Sequence, residues 1–152
     1  MSRVQLALRV ADLEGSVAFY SRLFGTGPAK RRPGYANFAI AEPPLKLVLL
    51  EGAPGEPTRI DHLGVEAETA GEVAAAAGRL AARGLETVIE EDAVCCYAVQ
   101  DKVWIAGPGG ERWEVYVVKA DADTPGKAAD SACCTPAAGT ADGARQGASA
   151  CC

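Results

Sequence analysis

The sequence predicts an α+β fold in which two βαβββ modules form one curved mixed sheet with both helices on its outer side. The first observation is an internal repeat, which aligns Leu6 with Leu63 and Leu8 with Val65 at a spacing of 57 residues. The second is that each copy begins with an alternating strand and continues with an amphipathic helix. The third is that each copy ends in a hairpin pattern. Because neither copy alone covers the apolar face of its sheet, the two copies are expected to pair and to leave a cleft inside.

The first copy opens with the predicted strand 4–10 and a helix. Asp12 is expected to cap the N-terminus of this helix and Gly25 to end it, since apolar residues recur at helical spacing between them. Three short strands are predicted to follow. The last two of these are expected to form a hairpin around Pro43 and Pro44.

The second copy repeats this plan with additional residues. Thr69 and Glu72 have the spacing of a capping box, and the helix is predicted to run to Gly84. A final hairpin is expected around 109–110. The spacing between the copies grows from 57 residues at the first strand to 66 at this hairpin, so the second copy contains nine additional residues. These are predicted to form a loop within residues 86–101.

The composition also sets the predicted limits of the folded unit. One domain is predicted for residues 1–118, with modules at about 3–51 and 59–118. Residues 119–152 consist mainly of Ala, Gly, Asp, Ser, Thr and Pro and contain no aromatic side chain. This segment is predicted to be a disordered tail, because it lacks the apolar surface that a packed structure requires.

Charge and hydropathy limit the classes of partner. The chain has 152 residues, a net charge of −5 and no run of Lys and Arg, which argues against nucleic acid. The N-terminus lacks the apolar core of a signal peptide, and no apolar stretch approaches the ~18 residues of a membrane span. The sequence therefore predicts a cytoplasmic protein with reduced thiols and no membrane partner, and it leaves a homodimer open.

All six cysteines occur as adjacent pairs, namely Cys95–Cys96, Cys133–Cys134 and Cys151–Cys152. Adjacent cysteines do not suit a disulfide framework, which links distant segments. The first pair lies in the additional residues of the second copy. In an extended strand its two side chains would point to opposite faces, so only a bent chain lets both sulfurs meet one atom. The pair is either two small buried hydrophobic residues or a chelate for a soft metalloid, and the tail pairs are either incidental or capture metalloid.

The repeat also aligns polar side chains. Gln5 falls on His62, the only histidine of the chain, and Val48 falls on Glu114. Taken singly, His62 would be a hydrogen-bonded structural residue, and the other two polar residues would face solvent. Lys102 is expected in solvent. The aromatic residues of the second copy are expected in the core or the cleft wall: Tyr97, Trp104, Trp113 and Tyr116.

Four segments together resemble a known family, and the resemblance spans residues 3–118. They are VQLALRVADLEGSVAFYSRLFG, DHLGVE, VCCYAVQDKVW and GERWEVYV. The duplicated module resembles the vicinal oxygen chelate superfamily, which includes glyoxalases and extradiol dioxygenases. The four segments more narrowly resemble the carbon–arsenic lyases, which are iron(II) dioxygenases that demethylate or dearylate trivalent organoarsenicals. Cadmium-induced bacterial proteins are similar too.

This resemblance implies a site and a reaction. It makes Gln5, His62 and Glu114 the Fe(II) ligands and the catalytic set, and it makes O2 the co-substrate. A histidine and a carboxylate suit Fe(II), whereas an amide is a weaker donor than the more usual histidine of extradiol dioxygenases. Cys95 and Cys96 would bind the arsenic of a methyl- or aryl-arsenical, and arsenite would be released.

Val48 occupies the fourth symmetry-related position and cannot bind a metal. Glyoxalase-like sites normally place a carboxylate there, so the resemblance favours an oxygen-activating site. A different class of function is a non-catalytic thiol protein that sequesters cadmium or arsenic with all three cysteine pairs. A thiol transferase for antibiotics and an ordinary extradiol dioxygenase are further alternatives, but both leave Cys95 and Cys96 unexplained.

Overall fold

The computed structural model describes residues 2–126, which form two modules of equal strand and helix order. The first module consists of β1 (Arg3–Val10), α1 (Leu13–Phe24), β2 (Lys30–Arg32), β3 (Tyr35–Ile40) and β4 (Leu45–Glu51). The second consists of β5 (Arg59–Glu66), α2 (Ala70–Ala82), β6 (Val88–Cys95), β7 (Ala98–Ala106) and β8 (Arg112–Asp121). The predicted α+β fold with two βαβββ modules is confirmed.

All eight strands belong to one sheet, in the order β2-β3-β4-β1-β5-β8-β7-β6. The two modules meet where β1 pairs with β5 in antiparallel orientation. Within each module the opening strand pairs in parallel with the closing strand, β1 with β4 and β5 with β8. Helix α1 packs on β3 and β4, and α2 packs on β7 and β8. Both helices therefore cover one face of the sheet and leave the other face free to form the cleft.

Local signals explain the helix ends. The Asp12 carboxylate accepts a hydrogen bond from the Gly15 amide (2.8 Å), and Gly25 ends α1 with a left-handed φ of 65°. Thr69 Oγ1 accepts from the Glu72 amide (3.2 Å). The Glu72 carboxylate accepts from the Glu68 amide instead of the Thr69 amide that a capping box would use. Helix α2 ends at Ala82, two residues before the predicted end.

The main apolar core lies between α1 and the outer face of the first module. Its buried side chains are Leu8, Val10, Leu13, Val17, Ala36, Phe38, Ile40, Leu47 and Leu49. A smaller core beneath α2 contains Val73, Ala77, Val103 and Val117. The second core is smaller because α2 presents mainly alanines, and this side of the sheet consequently depends more on strand pairing.

The additional residues of the second module form strand, so the prediction of a loop is wrong. β6 and β7 have 8 and 9 residues, whereas β2 and β3 have 3 and 6. Only Cys96 and Tyr97 lie between β6 and β7. An elongated hairpin satisfies the backbone amides and carbonyls of the additional residues by pairing, which a long loop would have to do with water.

The last strand continues beyond the predicted domain boundary at Val118. β8 ends at Asp121, and residues 122–126 contact the turn between β6 and β7. The rest of the predicted tail, including Cys133, Cys134, Cys151 and Cys152, lies outside the described residues. In the part of the chain that the structure describes, neither helix is long and apolar enough to cross a membrane.

Replacing Phe38 with alanine should lower the free energy of unfolding by about 3–5 kcal/mol, because the mutation leaves a cavity in a fully buried position. Phe19→Ala is the matched control, since the Phe19 side chain is 58% exposed and its loss should change stability by less than about 1 kcal/mol. Urea unfolding followed by circular dichroism measures both values. Equal losses in the two variants would contradict the assignment of the core.

Candidate metal centre

The three polar side chains that the repeat aligns meet on the inner face of the sheet. Gln5 Nε2 lies 2.7 Å from Glu114 Oε1 and 3.0 Å from His62 Nε2. His62 Nε2 lies 3.4 Å from Glu114 Oε1. All three residues are buried, with exposures of 3–4%. They come from β1, β5 and β8, which are neighbours at the centre of the sheet, so the strand order itself brings them together.

Gly64 provides the space in which two of these side chains meet. It pairs with Gln5 on one side and with Glu114 on the other, so the three residues form one row across the sheet. A Cβ atom at Gly64 would lie 3.1 Å from Glu114 Cγ and 3.3 Å from Gln5 Cβ. Any side chain here would push the two donors apart. Gly64 was not identified from the sequence, because a glycine within a strand indicates that another group comes close to the backbone but not which group it is.

The fourth symmetry-related position is apolar, as the repeat predicts. Val48 pairs with Ala7 on β1 in the same way that Glu114 pairs with Gly64 on β5. Val48 is buried and lines the cleft. Three of the four equivalent positions therefore carry polar donors, and the fourth forms an apolar wall.

A β-bulge in β5 gives His62 a carboxylate partner. The register runs from Ala7–His62 to Leu8–Ile60, so Asp61 is the extra residue between them. The Asp61 carboxylate accepts a hydrogen bond from His62 Nδ1 (2.7 Å) and also binds Arg9 Nε (2.6 Å). This contact fixes the ring so that Nε2 faces Gln5 and Glu114. Sequence analysis missed Asp61, because neighbouring residues of a regular strand point to opposite faces.

Lys102 is buried beside the centre, so the expectation that it lies in solvent is wrong. Its Nζ donates to Glu114 Oε2 (3.0 Å) and lies 5.1 Å from the centroid of the Trp104 ring. Burial of a lysine is unfavourable unless a charge partner is present, and Glu114 is that partner. The alternation of β7 was a usable signal, because it places Lys102 on the same face as Gln100 and Trp104, which are buried as well.

Tyr116 completes the surroundings of Gln5. Its hydroxyl donates to Gln5 Oε1 (2.5 Å), and Lys46 Nζ lies 5.0 Å from the centroid of its ring. Burial raises the pKa of Tyr116 above its ordinary value, so the hydroxyl stays neutral and can donate or accept. A half-turn of the Gln5 amide would exchange its oxygen and nitrogen, and the hydroxyl would then accept from Nε2.

Opposing effects set the protonation of the centre. Burial alone would lower the pKa of His62, but hydrogen bonds and charge from Asp61 and Glu114 raise it to about 9. Burial alone would raise the pKa of Glu114, but the charges of Lys102 and His62 hold it below its ordinary value. The raised pKa of His62 favours the protonated ring, whose Nε2–H then donates towards Glu114 Oε1 (3.4 Å), because Gln5 Nε2 is itself a donor. A divalent cation would bind here in exchange for that proton.

The donor atoms are spaced as ligands of one ion would be. Two ligands at right angles and ~2.1 Å from a metal are ~3.0 Å apart, and the three distances here are 2.7, 3.0 and 3.4 Å. Because Lys102 donates to Glu114 Oε2, the other oxygen, Oε1, would be available to the ion. A half-turn of the Gln5 amide would direct its oxygen, rather than its nitrogen, towards the same ion. The described residues contain no group of three or more His, Cys, Asp or Glu arranged for a metal, so the set depends on that amide.

Cys95 and Cys96 lie beside this centre in a sharply bent turn. Their sulfurs are 3.3 Å apart, which is longer than the ~2.05 Å of a disulfide. Cys96 and Tyr97 have φ angles of 55° and 61°, which is the left-handed pattern of a two-residue hairpin turn. The chain is thus bent at this point, which is the condition that the sequence set for both sulfurs to meet one atom. Cys95 is buried, and Cys96 is half-buried.

One cavity of about 290 Å³ extends from the polar centre to Cys96. Gln5, His62 and Glu114 line it, and Cys96 lines it as well. The opposite wall comes from the first module: Tyr35, Asn37, Ala39, Lys46 and Val48. The polar centre and the Cys96 thiol are therefore accessible from the same cavity.

Comparison with known proteins places these features in a family. The sequence profile of the Glyoxalase/Bleomycin resistance protein/Dioxygenase superfamily matches residues 3–115. A trivalent organoarsenical cleaving enzyme from Thermomonospora curvata is 70% identical over 151 residues, which are 99% of this chain and 100% of that enzyme. The cadmium-induced protein CadI of Mycobacterium tuberculosis is 62% identical over 126 residues, 83% of this chain and 82% of that protein.

A solved structure shows the same fold at low sequence identity. The 2,3-dioxygenase LapB from Pseudomonas sp. KL28 superimposes with a TM-score of 0.60 and 20% identity. The alignment covers 78% of this chain and 41% of that one. The arrangement of eight strands in a curved sheet is therefore shared with a longer dioxygenase chain.

A methyl group added at Gly64 should weaken divalent-cation binding. Gly64→Ala forces Gln5 and Glu114 apart, and we expect the affinity for Co(II) to fall about tenfold or more. Gly78→Ala is the control, because a Cβ there meets no atom within 4 Å. Isothermal titration with Co(II) measures both variants. Unchanged affinity in Gly64→Ala would show that the three side chains do not act as one binding set.

Proposed function

The chain belongs to the Glyoxalase/Bleomycin resistance protein/Dioxygenase superfamily, and we propose that it cleaves the carbon–arsenic bond of trivalent methyl- or aryl-arsenicals and releases arsenite. The match of this superfamily's profile to residues 3–115 confirms the family resemblance predicted from the sequence. One observation carries the proposal: Cys96 lines the same cavity as the three-donor polar centre, and its sulfur lies 3.3 Å from that of Cys95. The similarity to a trivalent organoarsenical cleaving enzyme over the whole of both chains supports it.

The thiol pair would hold the substrate. Trivalent arsenic is a soft, thiophilic centre, and the two sulfurs are close enough to bind one atom. Each thiol of Cys95 and Cys96 forms one sulfur–arsenic bond, and each thiol proton leaves with one hydroxide of the arsenical as water. The arsenic keeps its carbon substituent, so that its three bonds are then two to sulfur and one to carbon. Because Cys96 and the polar centre line one cavity, that carbon would lie on the side of the polar centre.

Gln5, His62 and Glu114 would hold Fe(II). When bound, Fe(II) supplies the activation of O2, the co-substrate. The Asp61 carboxylate fixes the orientation of the His62 ring through its hydrogen bond with Nδ1. Lys102 donates to Oε2 of Glu114, so that only Oε1 would be available to the ion. With only these three protein donors, and none from the apolar side chain of Val48, the site would leave coordination positions open for ligands from solution.

Metal or metalloid sequestration is the second candidate. The identity of 62% with a protein named for its induction by cadmium favours it. Sequestration needs only thiols, however, and gives no role to a buried Gln, His and Glu that meet 2.7–3.4 Å apart. The position of these donors on the cavity wall supports the enzyme.

Turnover in air tests the enzyme directly. Fe(II)-loaded protein incubated with a trivalent methylarsenical should release arsenite, measured by liquid chromatography with mass detection, and an anaerobic sample should not. His62→Ala should abolish turnover and Fe(II) binding but keep arsenical binding, because the thiols are unchanged. Protein that binds both Fe(II) and the arsenical yet releases no arsenite would instead support sequestration.

Substitution of the thiols tests the chelate. All variants carry serine at the four tail cysteines, so that these cannot mask a loss. Cys95→Ser and Cys96→Ser should each lose nearly as much arsenical affinity as the double variant, since the second thiol acts at high effective concentration once the first has bound. Fe(II) affinity should survive in all three variants. Tight binding in either single variant would rule out a two-sulfur site.

A further inference from the structure

The turn that carries the thiols, residues 95–98, is held in place by contacts from outside the polar centre. We infer that Tyr97 and residues 122–126 position this thiol turn and thereby set the affinity for the arsenical. This inference rests on the proposed function, because it assigns these residues a part in substrate capture. From the sequence, Tyr97 was expected only in the core or the cleft wall, and residues 122–126 were assigned to the tail.

The conformation of the thiol turn requires external support. Cys96 and Tyr97 both adopt left-handed φ angles, of 55° and 61°. Two-residue hairpin turns of this kind usually contain Asn and Gly, because a Cβ atom makes the left-handed region unfavourable. A Cys-Tyr turn is therefore expected to relax to another conformation unless neighbouring groups stabilise it. Relaxation would separate the sulfurs.

Main-chain hydrogen bonds from the segment after β8 supply this support. The Cys96 amide donates to the Pro125 carbonyl (3.0 Å), and the Ala122 amide donates to the Tyr97 carbonyl (2.9 Å). Cys95 also forms an isolated β-bridge with Gly126. Residues 122–126 therefore form a short additional strand-like segment that contacts Cys95, Cys96 and Tyr97 of the turn.

Gly126 allows the segment to approach this closely. Its φ is 109°, which L side chains rarely adopt. A Cβ atom at this position would lie 1.9 Å from the Val94 carbonyl oxygen and 3.3 Å from Cys95 Cα. Those are backbone atoms and cannot move aside like a flexible side chain. A substitution at Gly126 must therefore displace the segment from the turn.

The side chain of Tyr97 anchors the turn to the first module. Its ring centroid lies 5.7 Å from that of Tyr35, and its hydroxyl donates to the Pro33 carbonyl at a long 3.4 Å. Lys30 Nζ donates to the Tyr97 carbonyl (2.9 Å). Since β2 and β6 are the two edges of the sheet, these contacts join one edge to the other. These contacts consequently hold the thiol turn against the first module, on the side of the cleft that the curvature of the sheet alone would leave open.

Four variants in the background with serine at the tail cysteines test this inference. Gly126→Ala displaces the segment, whereas Gly110→Ala is its control, because Gly110 also has a positive φ (82°) but open space around it. Tyr97→Asn removes the ring but favours the left-handed turn, since Asn adopts that region more readily than Tyr. Tyr97→Phe keeps the ring. The probe is phenylarsine oxide, a trivalent aryl-arsenical, titrated calorimetrically in parallel with Co(II).

We expect Gly126→Ala and Tyr97→Asn to bind phenylarsine oxide about tenfold or more weakly, because the thiols are no longer preorganised. Co(II) affinity should stay unchanged in both, and Gly110→Ala and Tyr97→Phe should match the parent protein. In turnover, KM for the arsenical should rise while kcat changes little, a split that general loss of structure would not produce.

Two results would overturn the inference. One is parental affinity for phenylarsine oxide in both Gly126→Ala and Tyr97→Asn. The other is a parallel loss of Co(II) affinity and of melting temperature in these variants, which would make the contacts merely structural. Failure of the parent protein itself to bind phenylarsine oxide would contradict the proposed function instead, so the two failures are distinguishable.

Discussion

The antiparallel pairing of β1 with β5 is the constraint on which the rest of the structure depends. It joins two modules that could not bury their sheets alone, and it brings Gln5 and His62 side by side. A shift of the pairing by one residue would turn these side chains to the helix-covered face, because neighbouring residues of a strand alternate between faces. The same shift would separate Gly64 from Gln5 and close the space shared with Glu114.

Duplication leaves a readable spacing that predicted the fold, whereas the grouping of Gln5, His62 and Glu114 in one site was implied by the family resemblance. Equal positions in equal modules must lie on equal strands, so the alignment carries three-dimensional information. The bulge that turns Asp61 towards His62 leaves no such trace, because one extra residue opposite a strand does not change the hydrophobic pattern. Lys102 was misplaced for a related reason: a charged side chain is expected in solvent until its buried partner is known.

The elongated hairpin shows a limit of predicting local structure from the spacing between the two copies. The nine additional residues were located correctly, but their number could not distinguish a loop from two longer strands. Pairing between β6 and β7 decided the outcome, and such pairing depends on partners that are distant in the alignment. The bend at Cys96 and Tyr97 was expected only because two sulfurs cannot otherwise meet, and the contacts that stabilise it come from residues assigned to the tail.

Unequal modules also determine how a ligand is oriented. A container built from two identical halves has a twofold axis, and a ligand inside it could bind in either of two equivalent directions. Here only the second module carries a long hairpin with thiols at its tip, and only the first contributes the apolar wall at Val48. This difference removes the degeneracy, so that an arsenical held at the thiols would present its one carbon–arsenic bond to the polar centre in a single orientation. That orientation would follow from the broken symmetry of the duplication and would need no separate recognition of the organic group.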